Sequence, residues 1–123
     1  YLQAQRIRTR AIAHFKRAFR EVDVILTPAT AVTAPTVPDG CENDGWSDLG
    51  MVTELMRFAM PGNLTGLPAI AFPVGYDSRG LPTGMQAMGR PWEEHLLLRI
   101  AFAAEQVVPR RRPPIFYDIL QQS

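Results

Sequence analysis

The chain has 123 residues, enough for one domain or a large piece of one, with 46% hydrophobic and 20% charged residues and a formal net charge of +1. That balance excludes wholesale disorder, which needs low hydrophobicity and high net charge, and argues against a nucleic-acid partner, which would call for a basic excess. A single cysteine, Cys41, excludes an internal disulfide framework and fits a reducing compartment, cytoplasmic or at the periphery of a membrane.

Taken in order, the chain starts inside a helix. Ala4, Ile7, Ala11, Phe15, Ala18 and Val22 recur every three or four residues, so residues 2–21 read as an amphipathic helix. Arg6, Arg10, Arg17 and Arg20 fall beside that stripe as a solvated face, the alternative being contact with anionic headgroups or with carboxylates of a larger protein. Because residue 1 is Tyr and a helical pattern is already under way, the chain is expected to be a piece of a longer one. No apolar run approaches the ~20 residues that a membrane-spanning helix needs.

Residues 22–27 (Val-Asp-Val-Ile-Leu-Thr) are rich in β-branched side chains and stop at Pro28, the pattern of a short buried strand. Residues 28–47 hold Pro28, Pro35, Pro38, Gly40 and Gly45 and read as a long loop. Its acids, Asp39, Glu42 and Asp44 with Asp48 beyond, match no calcium-loop spacing, so no metal site is expected. Ser47 or Asp48 can cap a second helix, whose apolar face is Leu49, Val52, Leu55, Met56, Ala59 and Met60 and which Pro61 should kink or restart.

Gly66 followed by Pro68 ends that helix. Residues 69–74 then run apolar without alternation, as in a strand buried on both faces in the interior of a sheet. Asp77-Ser78-Arg79-Gly80 supplies turn chemistry, and residues 83–88 return as an antiparallel strand. The strand–helix–strand order 22–27, 48–65, 69–74 predicts a βαβ unit with parallel strands and a right-handed crossover. Leu97, Ile100, Ala101, Ala104, Val107 and Val108 form the stripe of a last helix begun by Glu93 and Glu94 and ended by Pro109. Arg110, Arg111 and Arg112 suit its C-terminus, with a polybasic membrane patch as the alternative, and Pro113–Leu120 reads as an extended apolar tail clamped to a parent body. The fold class is therefore α/β: part of a mixed-sheet α/β/α sandwich, a βαβ unit plus an antiparallel return strand flanked by helices.

The chemistry-bearing residues are sparse. Ser47, Ser78 and Ser123 lie in no nucleophile elbow, and His14 and His95 belong to separate helices. Cys41 has no neighbouring histidine, and there is no P-loop, no His-Glu-x-x-His and no paired cysteine. No catalytic residue, metal ligand or organic cofactor is assigned within these residues.

Asn63-Leu64-Thr65-Gly66-Leu67-Pro68-Ala69-Ile70-Ala71-Phe72-Pro73-Val74-Gly75, then Gly80-Leu81-Pro82-Thr83-Gly84-Met85-Gln86-Ala87-Met88-Gly89-Arg90-Pro91, resembles the C-terminal part of the amidase signature family. Asp23-Val24-Ile25-Leu26-Thr27-Pro28 matches that family's strand upstream. Leu55-Met56-Arg57-Phe58, Gly89-Arg90-Pro91-Trp92 and Ile115-Phe116-Tyr117-Asp118-Ile119-Leu120 resemble the plant-type fatty acid amide hydrolases in particular. The resemblance implies hydrolysis of amides by a serine nucleophile with a second serine and a lysine, all N-terminal of the matched region. Lys16, the single lysine, matches no catalytic position. The 123 residues, read as the C-terminal portion of one amidase domain without its catalytic core, are thus not expected to be active alone.

The resemblance further implies that the helix before the Asn-Leu-x-Gly-Leu-Pro block lines the substrate pocket. That carries over to Thr53, Met56, Arg57 and Met60 as substrate-binding residues, with the segment 27–34 as a second wall. Methionine suits a groove for a flexible acyl chain, although plain core packing has the same composition. The partners so implied are the rest of the amidase domain and a small-molecule amide or fatty acid amide, with no nucleic acid and with peripheral membrane association or a homodimer as options. Two other readings are carried: the amidase component of a glutamyl-tRNA amidotransferase, and a non-catalytic module that binds acyl ligands or a partner protein.

Overall fold

A computed structural model describes residues 1–109 and Arg111, the side chains of Glu42 and Asp44 excepted. Arg110, Arg112 and the apolar segment 113–120 lie outside the described residues. The elements are α1 (Leu2–Ala18), β1 (Ile25–Pro28), α2 (Cys41–Asp44), α3 (Leu49–Met56), α4 (Ala59–Thr65), β2 (Ala69–Tyr76), β3 (Pro82–Met88) and α5 (Glu94–Val107).

The three strands form one sheet in the order β1-β3-β2, and β3 is antiparallel to both neighbours. β1 and β2 therefore run the same way, as the strand–helix–strand pattern requires, but β3 is inserted between them and they share no hydrogen bonds. The central plank is β3. β2 lies at the edge of the described sheet, with Ala69, Ala71, Pro73 and Val74 exposed. The expectation of a strand buried on both faces at 69–74 is not met. Pro73 has no amide hydrogen to offer a further strand, and an edge is where a sheet tolerates that loss. A bulge beside it, between Pro73 and Gly75, shifts the register, and Gly75 adopts φ +147°, a backbone shape that side chains disfavour.

Helices cover both faces. Ile70 and Phe72 of β2 stand opposite Ala87 and Met85 of β3, and this face meets Leu97, Ile100, Ala101 and Ala104 of α5. Phe72 is 9% exposed, Ala87 0% and Leu97 2%, so a buried cluster of the described residues lies here. Gly89 permits it, since a Cβ there would stand 3.2 Å from Leu97 Cδ2. On the opposite face Met88, itself buried, places its sulfur 3.8 Å from where a Cβ of Gly62 in α4 would stand.

The helical segment 48–65 is two helices. Asp48 caps α3 by accepting the Met51 amide at 2.9 Å. The break at residues 57–58 precedes Pro61, which lacks the N–H that would bond the Arg57 carbonyl four residues back and whose ring crowds it. Gly66 ends α4 at φ +75°, its amide and that of Leu67 both reaching the Gly62 carbonyl.

The expected helix over 2–21 stops at Ala18, because Arg90 enters at its end. The Arg90 guanidinium donates to the Phe19 carbonyl at 2.9 and 3.2 Å and to the Val22 carbonyl at 3.0 Å. It also pairs with Asp23 at 3.3 Å and Glu93 at 3.2 Å and lies 6.0 Å from the Phe19 ring centre. One side chain thus ties the end of α1, the approach to β1 and the start of α5. At the hairpin tip Asp77 accepts the amides of Arg79 and Leu81 at 2.8 and 2.9 Å, and Gly80 takes φ +81°. Past α5, the Arg111 amide donates to the Tyr76 hydroxyl at 2.9 Å and its guanidinium lies 4.7 Å from that ring's centre.

Candidate functional site

The break between α3 and α4 turns two methionines the same way. Met56 is the last residue of α3 and Met60 the second of α4, and both border an open trough of 850 Å³ with Arg57, Pro61, Asn63 and Leu64. Ala11 and Phe15 of α1 form its other bank. Met56 is 45% exposed and Met60 51%, so neither is a core residue of the described chain. Unbranched thioether side chains standing in a groove adapt to flexible apolar ligands.

Arg57 stands at the rim. Its guanidinium pairs with Glu54 one turn back on α3, a half-exposed pair of little energetic weight that leaves the arginine stem against the trough. Arg8 Nε of α1 donates to the Leu64 carbonyl at 2.7 Å, which closes the far end between α1 and α4. Of the four residues carried over to the substrate pocket, the structure brings Met56, Arg57 and Met60 together. Thr53 lies a turn earlier, donates its hydroxyl to the Leu49 carbonyl at 2.7 Å and does not border the trough.

The segment 27–34 borders its own small cavity of 220 Å³, together with Pro82, Thr83 and Gly84. It is tethered twice. The Ala31 amide donates to the Glu54 carbonyl of α3 at 3.3 Å, and Arg79 of the hairpin tip donates to the Thr33 hydroxyl at 2.7 Å. Asp77, which holds Arg79 at 3.3 Å, has its pKa lowered, first by the Leu81 amide, against an opposing effect of burial, with the Arg79 amide and the side chains of Thr33 and Arg79 adding to the lowering.

Lys16 borders a separate apolar cavity of 250 Å³ with Phe15, Phe19, Leu67 and Arg90, away from the methionines. His14 sits on α1 with its Nδ1 3.2 Å from Arg17, His95 is exposed on α5, and Cys41 is a free thiol at the start of α2. Among the described residues no group of three or more His, Cys, Asp or Glu is placed to hold a metal ion, and no helix is long and apolar enough to cross a membrane. The arrangement can bind an apolar chain along the trough, and the residues around the trough present no nucleophile–base pair.

One residue beside the site escaped the sequence reading. Gln86, in the middle of β3, donates from Nε2 to the Phe58 carbonyl at 3.0 Å, at the very break between α3 and α4. A glutamine flanked by Met85, Ala87 and Met88 on a strand was the available signal, since a polar side chain in such a setting needs a partner.

Comparison with known proteins gives these features a frame. The model of the Amidase family matches residues 1–98. A fatty acid amide hydrolase of Medicago truncatula is 48% identical over 122 residues, covering 98% of this chain and 20% of that protein. A glutamyl-tRNA(Gln) amidotransferase subunit of Thermosynechococcus vestitus is 41% identical over 110 residues, covering 89% of this chain and 22% of that protein. Among solved structures, the glutamyl-tRNA(Gln) amidotransferase subunit of Thermotoga maritima superposes with a TM-score of 0.69 at 31% identity, over 87% of this chain and 22% of that one. The chain spans about a fifth of the length of the curated relatives it matches. With the family model matching most of its length, the chain belongs to the amidase family.

Proposed function

We propose that the chain works as the C-terminal part of a serine-dependent amidase that hydrolyses carbon–nitrogen bonds of N-acyl fatty acid amides. In this reading the lysine and two serines of the catalytic triad come from residues N-terminal of the matched region, and the present residues complete the sheet and supply one wall of the acyl cleft. Met56 and Met60 contact the acyl chain and the stem of Arg57 extends that wall to the rim, while Thr53, one turn earlier on α3, stands outside the trough. The carrying observation is the trough itself: two half-exposed methionines on either side of a helix break, facing an apolar bank of Ala11 and Phe15. The higher identity to a fatty acid amide hydrolase than to the amidotransferase relative supports the same choice of substrate class.

The glutamyl-tRNA amidotransferase reading has the lower sequence identity, 41% against 48%, and a structural superposition, which reports a shared fold. The two separate on substrate. Met56→Gln with Met60→Gln, made in the full-length enzyme, is expected to lower kcat/KM for a long-chain N-acyl amide about tenfold or more while a short-chain amide changes little, because each polar replacement forfeits apolar contact along the chain. Equal loss on long and short amides would make both methionines scaffold. Glutaminase activity without hydrolysis of any N-acyl amide would favour the amidotransferase reading.

A further inference from the structure

From the geometry at the helix break we infer that Gln86 is a positioning residue for acyl-chain discrimination, acting through the Phe58 carbonyl on the spacing of Met56 and Met60. This rests on the reading of the trough as an acyl-binding wall.

The junction between α3 and α4 has little local chemistry to fix it. Pro61 removes the amide that would bond the Arg57 carbonyl. Phe58, the N-cap of α4, offers no side-chain acceptor to the free amides of the first turn. The angle at the break is therefore set by contacts from elsewhere. α3 is held upstream through its Glu54 carbonyl by Ala31, and α4 is held downstream through its Leu64 carbonyl by Arg8. Both of those anchors lie away from the junction. At the junction itself the described tether is Gln86, whose amide nitrogen reaches Phe58 at 3.0 Å.

The origin of that tether is rigid. Gln86 stands on the middle strand of the sheet, opposite Thr27 on one side and Ala71 on the other. Its nitrogen lies 3.5 Å from the Thr27 hydroxyl, on the sheet face opposite α5 and toward the α3–α4 break. Met56 and Met60 straddle the anchored carbonyl, two residues before it and two after. Releasing the carbonyl frees the angle between α3 and α4, and with it the distance between two side chains that a long acyl chain would have to touch together. A short acyl group that reaches only one of them would not register the change.

The experiment uses the full-length enzyme with Gln86→Met, which keeps the side chain's length and removes the donor, and with Gln86→Glu, which keeps its shape and presents a carboxylate to the carbonyl. KM and kcat are measured on one long-chain and one short-chain N-acyl amide, alongside the Met56→Gln/Met60→Gln variant. Expected is a rise in KM for the long amide of about fivefold for Gln86→Met, the scale of one ordinary hydrogen bond, and more for Gln86→Glu, with kcat on the short amide within about twofold of the parent. If the methionine variant alters the long-to-short ratio and both Gln86 variants leave it unchanged, the positioning role is overturned and the trough reading stands. An equal loss of kcat on both amides in the Gln86 variants makes Gln86 ordinary scaffold and also overturns it. If the methionine variant itself leaves the ratio unchanged, the acyl wall fails and the role of Gln86 falls with it.

Discussion

Replacing Arg90 separates two kinds of interaction that look alike on a contact map. The Arg90 side chain is 34% exposed and has two carboxylate partners and two carbonyl partners. Asp23 is 82% exposed, so its pair with Arg90 is screened by solvent and worth less than about 1 kcal/mol. The Phe19 and Val22 carbonyls differ, because they lie at the cap of α1 and just past it, where the helix ladder supplies no amide four residues on to satisfy them. A charged donor to each is worth about 1.5–3 kcal/mol, and discounting for partial exposure leaves about 2–3 kcal/mol for the whole clamp. Arg90→Met keeps most of the stem and removes every donor.

The assay is hydrogen exchange in the full-length enzyme, read on a peptide covering residues 15–24. The amides of Phe19, Arg20, Glu21 and Val22 bond within the last turn and report its opening. A loss of about 2–3 kcal/mol should speed their exchange roughly thirty- to hundred-and-fiftyfold where opening is in rapid equilibrium. Asp23→Asn should speed it less than about fivefold. Arg90→Lys should fall between the two, since an ammonium lacks the planar fork that spans both carbonyls. If Asp23→Asn matched Arg90→Met, the ion pair and not the carbonyl clamp would be holding the helix end, and the reasoning would be wrong.

Two further outcomes follow from the same structure. Gly84→Ala should destabilise the sheet by about 1–3 kcal/mol, because the new methyl would stand 3.3 Å from both the Ala29 Cβ and the Phe72 carbonyl, neither of them the free end of a flexible chain; an unchanged thermal midpoint would show that β1 can move aside. The lowered pKa of Asp77 makes the hairpin tip acid-sensitive in one direction. Its contribution is fully present above the unfolded-state pKa of about 4 and is lost as pH falls through the lower folded value. Exchange of the Leu81 amide should accordingly quicken below about pH 4 in the parent and stay flat through that range in Asp77→Asn.

Much of the local structure was legible in the residues. Asp48 as a cap, Gly66 as a helix stop, Asp77 to Gly80 as a turn and the stripe of α5 each depend on neighbours within a few positions, where backbone sterics and side-chain reach decide the outcome. Three of the four carried-over pocket residues lie within five positions of one another on the α3–α4 segment, so their meeting at one trough was within reach of a helical pattern. Thr53 stands aside because a hydroxyl bonded to its own helix carbonyl is satisfied locally, which no periodicity reveals.

What the residues in sequence determined, then, was where the chain turns, where it coils and which faces are apolar, since those follow from forces acting over one or two turns. Strand order was decided only in three dimensions. An apolar run reads the same whether it lies at the centre of a sheet or its edge, and the insertion of β3 between β1 and β2 depends on hydrogen bonds between residues about sixty positions apart. The same holds for Arg90 reaching Phe19 across 71 positions and Gln86 reaching Phe58 across 28. Such contacts exist because folding brings an unsatisfied carbonyl within reach of a distant donor, and burial makes leaving that carbonyl unpaired the costlier state.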